Sequence, residues 1–149
     1  MKKLLITSSW LAMVTGLILI VAGLWGICFT YKNVSRENII TPDDASVPAV
    51  HVRGPLSLKA QADIIREHTL RMTDGKTYSE MPRQIETVDT SGKTVLVPND
   101  ARDTWITATT LTTALNLAIV TYVFSGLVVL LGFISIWTGI VFRALIKRV

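Results

Sequence analysis

Two long stretches without a charged side chain constrain this sequence more than any other feature. One runs from Leu4 to Tyr31, 28 residues, and the other from Trp105 to Phe142, 38 residues. A helix needs about 20 apolar residues to cross the hydrocarbon core of a bilayer, and soluble cores rarely sustain uncharged runs of this length. The expectation is two membrane-spanning helices. The remaining charge supplies an orientation. Residues 32–103 hold all eleven acidic residues and ten of the fifteen Lys and Arg, while Lys2, Lys3, Arg143, Lys147 and Arg148 flank the outer ends of the apolar runs. Short basic flanks stay cytoplasmic, so both termini are expected inside and the middle segment outside. The net charge of +4 is then a topology signal, and no nucleic-acid partner is expected.

The first run exceeds the ~7–15 apolar residues of a secretory leader, and Ile27 stands where a leader cleaved before Cys28 needs a small residue. A retained anchor is expected. The single cysteine, Cys28, allows no internal disulfide. The second run would reach ~57 Å as one helix at ~1.5 Å per residue, nearly twice the hydrocarbon thickness. Its Thr-rich first third, WITATTLTTALN (105–116), is expected to project beyond the bilayer and pack on the outer domain. The span proper is then about 118–142. Asn99 or Asp100 can cap the start of this helix.

Small residues in both runs follow a seven-residue spacing: Ser9, Gly16 and Gly23 in the first, and Ser125, Gly132 and Gly139 in the second, with Ala118 one heptad earlier. A seven-residue repeat keeps one face toward a partner in a left-handed crossing, and small residues there let two backbones approach closely. In an antiparallel hairpin Ser9 would meet Gly139, Gly16 would meet Gly132, and Gly23 would meet Ser125. The same face of the second helix is expected to continue outward through Leu115, Leu111 and Ala108.

Three segments result: a transmembrane helix over 1–31 with its MKK start, an extracytoplasmic domain over 32–103, and a long helix over 104–149 ending in a basic cytoplasmic tail. The fold class is membrane α-helical, a two-pass hairpin with a small α+β domain between its helices. Within that domain, residues 41–56 read as extended and irregular. Residues 57–72 read as a helix capped by Ser57, with Leu58, Ala62, Ile65 and Met72 on one stripe and Ile64 beside it. Asp74-Gly75 stops the helix, the glycine taking the left-handed cap. The segments 84–89 and 93–97 flank a short glycine loop and read as a β-hairpin over 84–97. A core built from so few elements is marginal, so the domain is expected to lean on the projecting helix or on another protein.

Chemistry is sparse. There are two histidines, His51 and His68, and no HExxH, GxSxG, phosphate-binding glycine loop or dinucleotide fingerprint. Asp63 is five residues before His68 and Glu67 is adjacent, so neither shares its helical face. A metal site would need His51, Asp43 or Asp44 to fold over His68. Glu80, Glu86 and Asp89 could form a carboxylate pair, but no base or pocket accompanies them. No catalytic residue, resident metal, cofactor or small-molecule substrate is expected. The spans lack the charges that pumps and proton relays use.

Residues TPDD (41–44) and QADIIREHTLRMTDGKTYSEM (61–81) resemble a family of small, largely actinobacterial membrane proteins with a helix at each end. Members often carry the name "aromatic ring-opening dioxygenase LigA". The shared motif is matched here by Ala62, Asp63, Ile64, Ile65, His68, Thr69, Leu70, Thr73, Gly75, Thr77 and Tyr78. The resemblance implies a bacterial cytoplasmic membrane protein with the same topology and outer fold. It implies no activity, because ring-cleaving dioxygenases need non-haem iron and a catechol pocket. The motif also reads structurally. Ala62 allows close approach, Ile65, Leu70 and Met72 close a core, His68 and Thr69 tie helix to loop, and Tyr78 folds back over the helix.

The leading expectation is a non-enzymatic two-pass membrane protein. Its outer domain would bind a protein partner, as an accessory subunit or a homo-oligomer. An extracytoplasmic metal-dependent enzyme or sensor using His68 and His51, and an oligomeric pore, are the alternatives.

Overall fold

The computed structural model describes residues 2–146. Helix α1 spans Lys2–Arg36, α2 Pro55–Met72, a 3-10 turn Tyr78–Glu80, strands β1 Gln84–Val88 and β2 Thr94–Pro98, and α3 Asp100–Ile146. Two long apolar helices thus bracket a segment built from one shorter helix and a two-stranded sheet. The chain divides into two compact units, residues 1–37 with 118–149 and residues 38–117. Both outer helices are longer than the uncharged runs, because α1 continues through Lys32 and Arg36 and α3 starts at Asp100. Lys147 and Arg148 of the basic tail lie outside the described residues.

In the first unit α1 and α3 run antiparallel. The buried residues of α1 are Ser9, Gly16, Gly23 and Thr30. Those facing them on residues 118–146 of α3 are Ser125, Gly132 and Gly139. Ser9 Oγ donates to the Gly139 carbonyl at 2.8 Å, and Ser135 Oγ donates to the Ala12 carbonyl at 2.8 Å. Backbone meets backbone here. A Cβ on Gly16 would lie 2.6 Å from the Gly132 oxygen, and one on Gly132 would lie 2.7 Å from the Gly16 oxygen. One on Gly23 would lie 2.7 Å from the Ser125 oxygen. At these separations only glycine fits without moving a main chain.

The second unit is organised around α2. Its start differs from the sequence expectation. Pro55, with its fixed φ and missing N–H, occupies the first turn, and Gly54 is the cap. Ser57 sits inside the helix, and its Oγ accepts from the N–H groups of Arg53 and Gly54 at 3.1 and 3.2 Å. The stop is as read from Asp74-Gly75: Gly75 takes φ +75 and its N–H bonds the Leu70 carbonyl at 2.8 Å. Asp74 is left-handed too, at φ 51, a conformation that Asp tolerates better than most residues.

The core of this unit holds Leu58, Ala60, Ala62 and Ile64 of α2, Val52, Ala45 and Met81 of the connecting segments, and Trp105, Ala108 and Leu115 of α3. Two expected members stand elsewhere. Met72 is 71% exposed and Leu111 is 50% exposed. Thr69 and Thr73 line the interior instead. The reason is Trp105: its Nε1 donates to Thr73 Oγ1 at 3.1 Å and to the Lys76 carbonyl at 2.9 Å, so the indole covers the end of α2. Residues 100–117 of α3 are therefore part of this unit, which places its boundary near Leu117 and not at 103.

Strands β1 and β2 pair antiparallel, Ile85 with Val97 and Val88 with Thr94. Asp89 leaves the strand and organises the turn, where its Oδ1 accepts from the Ser91 and Lys93 N–H groups at 2.7 and 3.1 Å. Asn99 Oδ1 caps α3 by accepting from Ala101 N–H at 3.2 Å. Residues 41–50 are more ordered than their composition suggests. Thr41 is 2% exposed, and its main chain and side chain bond Val50 from both sides.

Candidate functional site

The loop closed by Thr41 delivers Asp44 to α2. Asp44 Oδ2 lies 2.7 Å from His68 Nε2 and 3.7 Å from Arg71 Nη1, while Arg71 also pairs with Glu67 one turn earlier. His68 is thus half-buried and tied to a loop. Its hydrogen bond holds the Asp44 carboxyl below its ordinary value, assisted by the charges of His68 and Arg71. The cluster is open, with the His68 and Asp44 side chains 42% and 46% exposed. Chemically it is an acceptor-bound imidazole beside a guanidinium, a clasp between loop and helix.

His51 does not join it. Its backbone forms an isolated bridge with Ile40, and its side chain is exposed. Asp63 pairs with Lys59. Among the described residues no three His, Cys, Asp or Glu side chains gather around one point that a metal ion could share. Glu80 is engaged locally. Thr77 donates to its Oε2 from the main chain at 2.6 Å and from Oγ1 at 2.7 Å, which holds its carboxyl low. Asp89 is likewise held low, first by the Ser91 hydroxyl. Glu86 lies opposite Leu96 in the hairpin.

The other motif residues have structural posts. Ala62 is 2% exposed, Ile65 and Leu70 are half-buried, and Gly75 takes the left-handed turn. Thr69 Oγ1 bonds back to Ile65 O at 2.7 Å, within its own helix and not to the loop. The Tyr78 ring lies beneath Arg102 of α3, 3.8 Å from guanidinium carbon to ring centroid. Arg102 Nη1 also donates to the Tyr78 carbonyl at 3.1 Å and the Met81 carbonyl at 2.5 Å.

Sequence reading missed Trp105, Arg102 and Arg66 as anchors. Each joins residues more than twenty positions apart, which local periodicity does not register. The usable signal was an indole and two guanidiniums in a domain with few large apolar residues, since such side chains carry both contact area and hydrogen bonds.

The hairpin is the least covered element. No residue of β1 or β2 is buried, and Val88 and Leu96 are 67% and 62% exposed. Among the described residues the sheet holds one pairing, β1 with β2, so each strand presents an outer edge with no strand beside it there. Compared with family models, curated proteins and solved structures, the chain matches none.

Proposed function

We propose that this is a non-enzymatic integral membrane protein, a two-pass hairpin whose extracytoplasmic unit binds another protein as an accessory subunit or assembles with copies of itself. In this reading α1 and about 118–142 of α3 cross the bacterial cytoplasmic membrane, with both termini cytoplasmic. Both helices are long and apolar enough, and only 11% of the most apolar window of each is buried. A core helix of a soluble protein would bury most of that surface. Residues such as Leu17, Ile18, Phe124 and Leu131 stand more than half exposed along them, as lipid-facing residues do.

The observation that carries the interaction role is the bare hairpin. A two-stranded sheet is marginal in water without further cover, and an open strand edge is a template for pairing with another chain. Ile85, Val95 and Val97 share one face by the alternation of strands, and none of them is buried. A partner that adds a strand or covers this face completes the unit.

A photoreactive residue at Val97, which pairs with Ile85 on that face, used in intact cells, tests the reading. A discrete crosslinked product is expected, diminished by Ile85→Asp. Gentle extraction that yields a strictly monomeric particle with no crosslink at Val97 would overturn it.

A further inference from the structure

The two edges of the β1–β2 hairpin are not equivalent. In an antiparallel ladder, pairs that exchange hydrogen bonds alternate with pairs that turn their main-chain groups outward. The phase is fixed at both ends. Asp89 N–H donates to the Lys93 carbonyl at 2.9 Å, and Asn99 N–H donates to the Arg83 carbonyl at 3.1 Å. The bonded pairs between them are then Ile85 with Val97 and Thr87 with Val95. Gln84, Glu86 and Val88 aim their N–H and C=O groups away from β2, and their partners Pro98, Leu96 and Thr94 aim theirs away from β1. Among the described residues no hydrogen bond reaches the outward groups of β1.

Proline separates the two edges. Pro98 stands at an outward position of β2 and has no N–H, so a strand added there meets a missing donor. Proline is one of the devices that blunt a sheet edge. β1 contains no proline, and each of its outward residues can both donate and accept. Cover follows the same order. All five residues of β1 are exposed, whereas Val95 and Val97 of β2 are half-buried. β1 is the open edge of the hairpin.

The middle residue of that edge sets the charge of its partner. Glu86 lies opposite Leu96 and makes no ion pair among the described residues. A two-fold axis sets the central residue opposite its own copy, so β1 fully overlapped with β1 of a second chain would put Glu86 against Glu86. Like charges directly opposite destabilise a strand pair, and opposite charges stabilise it. A register shifted by two residues sets Val88 opposite Pro82, which lacks an N–H, or Gln84 opposite Thr90, which belongs to the turn. We propose that the outer edge of β1 accepts an extended segment of a different protein as a third strand, with main-chain bonds to Gln84, Glu86 and Val88 and a Lys or Arg facing Glu86. The site rests on the reading of residues 38–117 as a protein-binding unit, and it takes that reading to a partner other than the chain itself.

A benzophenone-bearing residue at Thr87 of the full-length chain, photoactivated in intact cells, reads the edge. Proline at an outward position removes one donor without touching the β1–β2 ladder. Glu86→Pro is therefore expected to lower the crosslinked product about tenfold, because an acceptor of the partner is left unpaired. Leu96→Pro makes the same change on the β2 edge and should leave the yield unchanged. Glu86→Gln is expected to lower it about twofold and Glu86→Lys about fivefold, as a charge pair is lost or reversed. Mass spectrometry of the product is expected to show another protein, with Lys or Arg beside the crosslink. Equal loss in Glu86→Pro and Leu96→Pro overturns the proposal, as does a yield that ignores the charge at position 86. So does a product of this chain with itself, or no product at Thr87. The Val97 crosslink keeps the two readings apart. Its absence together with a monomeric particle refutes the interaction reading, whereas a Val97 product that survives both Glu86→Pro and Glu86→Lys refutes the β1 edge alone.

Discussion

Helix α3 packs by two different rules along its length. In residues 118–146 it buries Ser125, Gly132 and Gly139. In residues 100–117 it buries Trp105, Ala108 and Leu115. Spacing is seven within each half, between Ala108 and Leu115 and again from Ser125 to Gly139. Where lipid surrounds a helix pair, burying large side chains gains little, because the tails are as apolar as the side chains, and close backbone contact does the work. Where water surrounds the unit, aromatic and aliphatic burial stabilises. The two halves of one helix therefore follow opposite size preferences at their buried positions.

The sharpest way to break this contrast is at Trp105. Replacing it with Ala should destabilise the unit of residues 38–117 by about 3–5 kcal/mol, the range for a buried tryptophan. Trp105→Phe keeps most of the area but withdraws the donor from Thr73 and Lys76, for about 1–3 kcal/mol. Hydrogen exchange of the α2 amides in detergent-solubilised protein distinguishes these two costs. Enlarging the seam should be damaging in the opposite sense. Gly132→Leu drives a side chain into the Gly16 carbonyl, at about 1–3 kcal/mol or more for overpacking against main chain. The check is thermal unfolding of the detergent-solubilised protein, with the α1–α3 pairing lost at lower temperature in Gly132→Leu than in the parent. The same enlargement at an exposed position such as Val120→Leu should leave that pairing unaffected.

Ser9→Ala is a finer probe. It removes the 2.8 Å bond to Gly139 while keeping the position small, and about 0.6 kcal/mol is expected for such a bond between membrane helices. Acid separates the units last. The folded state holds Asp44 below its ordinary value of 3.8, so the unfolded chain binds that proton more readily. The contribution is complete above the ordinary value and disappears as pH falls through the folded one. Melting between pH 6 and 3 should show an acid-dependent loss that Asp44→Asn reduces. Glu80 and Asp89 contribute in the same direction, so the variant is expected to subtract part of the loss. No comparable dependence should appear in the unfolding of the α1–α3 seam.

Much of the molecule was legible in the order of its residues. Uncharged runs and a seven-residue series of Ser and Gly are local properties, and they locate both long helices and the positions that pair across them. Asp74-Gly75 marks the end of α2 for the same reason, because backbone freedom belongs to the residue itself. His68 could be seen as a residue needing a partner, and the TPDD segment was among those able to supply one. Which acid would do so was not legible, since it depends on how the 41–50 loop closes on Thr41. The placement of Met72 failed for a related reason. Helical periodicity counted it into the stripe, but Trp105, far away in sequence, covers the end of α2 through Thr73 and leaves Met72 outside.

The sequence by itself determined that two helices are long and apolar enough to span a bilayer, that a small mixed segment separates them, and where each long helix is narrow enough to be approached closely. Charge, volume and backbone freedom act at single positions, and they repeat visibly. Only the tertiary structure decided that Trp105 of α3 covers the end of α2, that Asp44 closes on His68, and that Arg66 stands over Trp105 with no carboxylate partner among the described residues. Those outcomes depend on which distant groups reach one another first with their hydrogen bonds satisfied, and no local pattern records that competition.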